Sequence, residues 1–386
     1  MPTVVVSPYN VAAFPEGAGH LWVYLQYVLG LRQLGCDVYW LERFRPGRNP
    51  SGDGHARATF FERMAGFGLD GKVLLYSQDE RAEGSGAVEF IGVPQAAAEA
   101  VLRQADLLLN FHYAIDARLL AYPKRTALVD IDPGLLQVWM STGQIKVPPH
   151  DLYLTIGETV GTPAARFPNC GRQWIHIRPP VCLEFWPYAY DPACASFTTV
   201  AGWWSGKWVK EIQDGKEVLQ DNNKRVGFLD FVELPHHTPQ VLELALYLAE
   251  GDAADRQLLE NQGWRVRHSR EVASTPEYYQ AYIQRSRGEF SCAKPAYIKL
   301  KTAWVSDRTA CYLASGKPVV VQHTGPSAYL PSGEGMFRFS TLDEAAAALD
   351  AINSDYERQC RAAREIAVAY FDAKQVLTRI LSETLS

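Results

Sequence analysis

Three groups of residues in this chain of 386 have types and spacings suited to chemistry. The first is basic. Lys294, Lys299, Lys301 and Arg308 follow an apolar run that ends near Cys292, and Ser306 is placed to cap a helix that Gly316 stops. A helix N-terminus offers free N–H groups and partial positive charge, so cations beside it suit a diphosphate. On that first turn, Asp307 could accept from a ligand hydroxyl and Arg308 could neutralise phosphate. Lys207 in "AGWWSGKW" and Thr324-Gly325 in "QHTG" follow other strands and could meet phosphate or sugar. The bland alternatives are a solvated basic loop and ordinary turn formation. The second group is "FPEGAGHLWVYLQ", where Gly17 and Gly19 open a helix beside His20. Glycines leave room for a ligand against the backbone, and an imidazole titrates near neutrality, as a general base should. The third group is His112, Asp130 and Asp132, which end neighbouring strands and would converge on the same cleft; Glu158 in "TIGETVG" is a weaker candidate of that kind. For each histidine alone, a hydrogen-bonded structural role is the competing reading.

Several other chemistries fit poorly. No GxxxxGK[ST] phosphate loop occurs. A dinucleotide fingerprint would use Gly17, Gly19 and then Glu42, but its third small position is Trp22, too bulky for close helix–strand packing. Asp130-Ile131-Asp132 is discounted as a metal motif, because alternate residues at a strand end need not share a face. His236-His237 and seven scattered cysteines have no metal-ligand spacing, and no CxxC is present. The expectation is reduced thiols, no metal and no cofactor.

These groups need a scaffold that collects them. The first half alternates strands ("TVVVS", "DVYWLE", "KVLLYS", "ADLLLNFH", "RTALVDID", "DLYLTIG") with helical patterns, and this grammar builds parallel sheets. A proline-rich stretch over 163–192 reads as a linker. A second series follows, in which "SFTTVAGWW", "GWRVRHS", "GEFSCAK", "KPVVVQH" and "MFRFS" read as strands, while "PQVLELALYLAEG", "TPEYYQAYIQRSR" and "SDRTACYLASG" read as helices. Three helical segments finish the chain. Ligands in such sheets sit at the carboxyl ends of the strands, where all three groups fall. Hydrophobic residues make up 47% and charged residues 21%, a globular composition. A net charge of −5 gives no bulk attraction to nucleic acid or anionic membranes. No signal peptide or membrane-length apolar run is visible, so the expected location is cytoplasmic. Nothing in the sequence sets an oligomeric state.

The segment "YLASGKPVVVQHTG" resembles the donor-site segment of GT-B glycosyltransferases. The tail ("FSTLDEAAAALDAI", "AAREIAVAYFDAKQVLTRIL") and the start (apolar strand, glycine loop, helix ending "GLRQLGCDVYWLE") are similar to theirs as well. The resemblance implies an α/β protein of two Rossmann-like doubly wound domains facing a cleft. The domains would be 1–190 on the acceptor side and 191–365 on the nucleotide-sugar side, with a helix over 366–386 packing back on the first. It further implies metal-independent transfer of a sugar from a nucleoside-diphosphate sugar, such as a UDP-sugar, to an acceptor hydroxyl. The donor would meet Lys207, Lys294, Lys299, Ser306, Asp307, Arg308, Thr324 and Gly325; the acceptor would meet Gly17, Gly19 and Asp130; His20, His112 and Asp132 would do the chemistry, with His20 as base if the enzyme inverts. The acceptor would be a small molecule or a glycan, and Arg43, Arg45 and Arg48 leave DNA open. Two departures stand out: Cys311 and Ala303 hold positions where many of these enzymes carry Glu. They favour one rival, a non-catalytic nucleotide-sugar or nucleic-acid binding protein. The other rival is a sugar-nucleotide epimerase on the same fold.

Overall fold

The computed structural model describes residues 1–45, 50–78, 87–205, 210–213 and 216–385. Lys207 and Arg48 lie outside them.

The first sheet is built from β1 (Thr3–Ser7), β2 (Asp37–Arg43), β3 (Val73–Gln78), β4 (Val88–Ile91), β5 (Leu107–Asn110), β6 (Thr126–Asp130), β7 (Leu152–Thr155) and β8 (Trp174–His176). Its order is β4-β3-β2-β1-β5-β6-β7-β8, and β4 alone runs antiparallel to its neighbour. β5 and β6 are buried along their whole length, as strands covered on both faces must be. β9 (Ser196–Gly202) starts the second domain. A hairpin, β10 (Lys210–Gln213) and β11 (Lys216–Leu219), leaves it, and β12 (Val241–Tyr247), β13 (Arg265–His268), β14 (Gly288–Ser291), β15 (Val319–Gln322) and β16 (Met336–Phe339) complete a parallel sheet of order β13-β12-β9-β14-β15-β16. In both sheets the strand order reverses beside the first strand. The loops at those switch points are the ones that follow β1, β5, β9 and β14.

Two expectations are corrected. "PQVLELALYLAEG" is not a helix: Val241–Tyr247 is β12, in parallel register with β9 and β13. Its Leu and Ala favour helix, but insertion between two strands buries Leu242, Leu244 and Leu246 and outweighs that preference. The stretch over 163–192 is not wholly linker, because β8 within it adds the last strand of the first sheet. The edge strand β4, the hairpin and the short helices Leu135–Ser141, Lys224–Leu229 and Pro295–Leu300 are additional.

One apolar core crosses the domain boundary. It runs from Val4 and Leu25 to Cys311, Tyr312, Phe371 and Leu377. The helix Ala18–Gln33 carries it, packing on the helices Pro276–Gln284 and Ala373–Leu385. Trp22 donates from Nε1 to the carbonyl of Pro276 at 3.1 Å across the interface. An interface this apolar holds the two domains in a fixed relation. Among the described residues, no helix is long and apolar enough to cross a membrane.

Glu42 fastens the loop after β1. It is fully buried; Oε1 accepts from the amides of Val11 (2.6 Å) and Ala12 (2.8 Å), and Oε2 accepts from Trp40 Nε1 (2.8 Å). Burial pushes its carboxyl up to about 7, against the pull of those donors. A carboxyl raised in this way stabilises the fold below its unfolded pKa and loses that contribution as pH rises through the folded value. Relative to wild type, Glu42→Gln should therefore gain stability between about pH 5 and pH 8, by on the order of 3 kcal/mol. Paired thermal melts across that range check this; a constant offset would contradict it.

Candidate active site

A cavity of about 870 Å³ opens between the two sheets at the carboxyl ends of their strands. Both helix starts singled out in the sequence line it: Gly17, Ala18, Gly19 and His20 from the first domain, and Ser306, Asp307 and Arg308 from the second. The first helix has no side-chain cap, so its leading N–H groups remain unsatisfied by side chains. On the second, Ser306 Oγ accepts from the Arg308 amide at 3.3 Å, which leaves the hydroxyl proton free to donate. Two positive helix ends thus face one space. The glycine turn and the basic loop are parts of one site. Gly19 also allows a close approach, since a Cβ there would stand 2.9 Å from the Tyr279 ring of the other domain.

Lys224, which sequence reasoning missed, also lines the cavity. It is buried and has no hydrogen-bond partner among the described residues. Burial holds its ammonium well below the usual lysine range, and the charges of Arg308 and Lys294 press the same way. The two residues before it are anchored: Asn222 Oδ1 accepts from the Ala296 amide (3.2 Å) and Asn223 Oδ1 from the Ser205 amide (2.6 Å). In sequence it looked like one polar residue in "DNNKR", separated from β9 by the hairpin insertion. The usable signal was Asn-Asn-Lys opening a helix after the first strand of a domain. Lys294 also lines the cavity.

Arg308 departs from the expectation of a guanidinium devoted to phosphate. Its Nε and Nη2 each lie 2.8 Å from Glu289 Oε1, and Nη1 donates to the Val200 carbonyl at 2.9 Å. Glu289 is fully buried on β14, and its Oε2 has no partner. Arg308 still lines the cavity, with one N–H on each terminal nitrogen to spare. Burial raises the carboxyl of Asp307, with Arg308 opposing, and Asp307 faces the same space.

On the facing side, His20 Nε2 lies 2.6 Å from the Tyr9 carbonyl. A carbonyl only accepts, so Nε2 carries the proton and Nδ1 is the basic nitrogen. Burial lowers the His20 pKa from its ordinary 6.5; the Tyr9 carbonyl and the charge of Asp132 pull it back. Asp132 is not hydrogen-bonded to His20. Its carboxylate accepts from Tyr113 Oη (3.2 Å) in its own domain and Tyr297 Oη (2.9 Å) in the other. His112 is 3% exposed, and neither ring nitrogen has a protein partner. Burial, with Arg45 and Arg43 adding to it, pushes its pKa down to about 4. Its ring is part of the cavity lining, with both nitrogens buried and without a hydrogen-bond partner among the described residues.

Four expected residues are not on the cavity. Asp130 sits behind it, fully buried, accepting from Gln137 Nε2 (2.9 Å), Thr155 Oγ1 (2.9 Å) and the Asp132 amide (3.0 Å). It braces the loop that presents Asp132. Thr324 Oγ1 donates to the Trp304 carbonyl at 2.7 Å, and Gly325, at φ +123°, lets the chain pass the Lys301 carbonyl; both brace the loop before Ser306. Lys299 is exposed and does not line the cavity. Cys311 and Ala303 are buried and face away, so no carboxylate is missing from the wall at those positions. Glu158 is a strut: it pairs with Arg178 (2.8 Å) and accepts from the Ala328 amide (2.9 Å). Among the described residues, no group of three or more His, Cys, Asp or Glu is placed to hold a metal.

No protein-family model matches the sequence, and no curated protein does. Solved structures match the fold along nearly the whole chain. An alpha-glucosyltransferase in complex with UDP and a 13-mer DNA covers 99% of this chain and 98% of its own, at 10% identity and a TM-score of 0.61. HepE of Anabaena in complex with UDP-glucose covers 99% and 100%, at 12% identity and a TM-score of 0.60. Sucrose-phosphate synthase from Thermosynechococcus elongatus covers 99% and 98%, at 13% identity and a TM-score of 0.56. With its two Rossmann-like sheets, their switch points turned to one cleft, the chain has the GT-B fold.

Proposed function

We propose that the protein is a glycosyltransferase that moves a sugar from a nucleoside-diphosphate sugar, UDP-linked as in its structural neighbours, to an acceptor hydroxyl. One observation carries the reading: Lys224, Lys294, Arg308 and two helix starts converge on a single cleft. Arg308 is paired with Glu289, but Lys224 has no hydrogen-bonded counter-charge among the described residues, and a diphosphate would supply one. As the donor bond breaks, the leaving diphosphate gains charge, and these fixed donors stabilise it. His112 and Asp307 suit hydroxyls of the donor sugar. The reaction calls on no metal and no resident cofactor. The free thiols and a nucleotide-sugar substrate suit the cytoplasm. Incubation with a panel of UDP-sugars and acceptors, read by UDP release, tests the proposal; release from none of them would overturn it.

His20 is the base we assign, acting through Nδ1. A base must be unprotonated, so the rate should fall as pH drops through the lowered His20 pKa, with the acid limb below 6.5. His20→Ala should keep UDP affinity and lose about a hundredfold or more in transfer. An unchanged rate would return His20 to a structural role, and retained anomeric configuration would then give the proton to the leaving phosphate oxygen.

A further inference from the structure

The cavity is larger than the ring of cations needs, and its remaining wall has a distinct chemistry. Ile131, Trp139, Ile145, Ile156, Pro179 and Pro180 line it along the carboxyl ends of β6, β7 and β8. Trp304, stacked on Tyr297 at 4.3 Å between ring centroids, faces in from the other domain. Asp132 is the acidic residue on this stretch, and both its oxygens are engaged by tyrosines. No Asn, Gln or Thr lines any part of the cavity among the described residues. This matters because a saccharide presents hydroxyls on every side. Each hydroxyl buried without a partner weakens binding, and the polar groups beside this wall, Asp132 and the Tyr113 and Tyr297 hydroxyls, are already bonded to one another. DNA would need a track of cations for its phosphates, and Arg45 is the single Lys or Arg that the first domain gives this cavity among the described residues. An apolar ring system meets it by simple burial, with rigid aromatic faces to stack on.

From this we infer that the acceptor is an apolar aglycone: a small ring compound, aromatic or alicyclic, that carries the reacting hydroxyl. The inference rests on the glycosyltransferase reading and adds the acceptor class to it. The ring lies against Trp139 and Ile145, and its hydroxyl points past Asp132 toward the donor. In the transfer, the C1–O bond to the diphosphate breaks and a C1–O bond to the acceptor oxygen forms. The hydroxyl proton leaves to His20 or to the departing phosphate. Glu16, at the other side of the cleft, pairs with Arg270 across the mouth at 3.1 Å and takes no part in this wall.

The test is a titration of UDP-saturated protein with methylumbelliferone, naphthol, maltotriose and a short DNA duplex, by calorimetry and tryptophan quenching. At least one of the two phenols should bind about tenfold or more tightly than maltotriose or DNA. Ile145→Asp and Trp139→Ala should each weaken phenol binding by about tenfold while UDP affinity stays at the wild-type value. Tighter binding of maltotriose or DNA would overturn the inference, as would phenol binding unchanged in both variants, even with the donor reading intact. Failure of UDP to bind at all would remove the donor reading, and this inference with it.

Discussion

Replacing Lys224 with alanine is expected to abolish useful donor binding while leaving the fold intact. The ammonium is buried, unpartnered by the protein among the described residues, and pressed by Arg308 and Lys294. Such a group is unfavourable to the empty protein, since a buried charge is stable only when paired. A diphosphate supplies the missing partner, so the interaction exists only with ligand and is strongest when the leaving group carries its full charge. Removing it should lower kcat/KM for the donor by roughly a hundred- to a thousandfold, the range seen when one preorganised donor is deleted. The melting temperature of the ligand-free protein should stay level or rise. A variant that unfolds, or one that keeps donor affinity, would place Lys224 in the architecture and not in the site.

Arg308→Ala is expected to do the opposite first: to destabilise. The guanidinium is 8% exposed and its partner Glu289 is fully buried. Deleting the arginine leaves a buried carboxylate without its hydrogen-bonded counter-charge, and breaking such a pair costs about 3–5 kcal/mol. Loss of donor binding in that variant would therefore confound chemistry with unfolding. Arg308→Met combined with Glu289→Met separates them, because an apolar replacement of a buried pair restores most of the stability. The double variant should melt near wild type and still bind the donor weakly, since the two spare N–H groups of Arg308 are gone. If the single variant melts like wild type, the pair is not the strut described here.

These two residues also mark what the sequence did and did not reveal. The strands of the switch points were legible: β1 and β5 are short apolar runs bounded by polar turns, and β9 and β14 were read within "SFTTVAGWW" and "GEFSCAK". The helix starts at Gly17 and Ser306 were legible for the same local reason, a turn residue followed by an apolar stripe. Pairings across distance were not. Arg308 and Glu289 are separated by two loops, and nothing local says that one satisfies the other. Lys224 was hidden by an insertion that moved it away from the strand it serves. β12 was misread because Leu and Ala suit a helix until two neighbouring strands enclose them. Asp130 and Asp132 looked equivalent in "VDID", yet β6 ends at Asp130, which is buried in the core, and the turn after it carries Asp132 to the cleft.

The choice between a phosphate cradle at the first glycine turn and a diphosphate site near Arg308 dissolves in three dimensions, since both line one cavity. The account therefore stands most directly on one calorimetric titration of UDP into the wild-type protein and the Lys224→Ala variant, with melting curves alongside. It predicts saturable binding at one site and a melting point several degrees higher with UDP, by mass action, and neither effect in the variant, whose own melting point is undiminished. No heat and no shift in the wild-type protein with UDP or any other nucleoside diphosphate would contradict it.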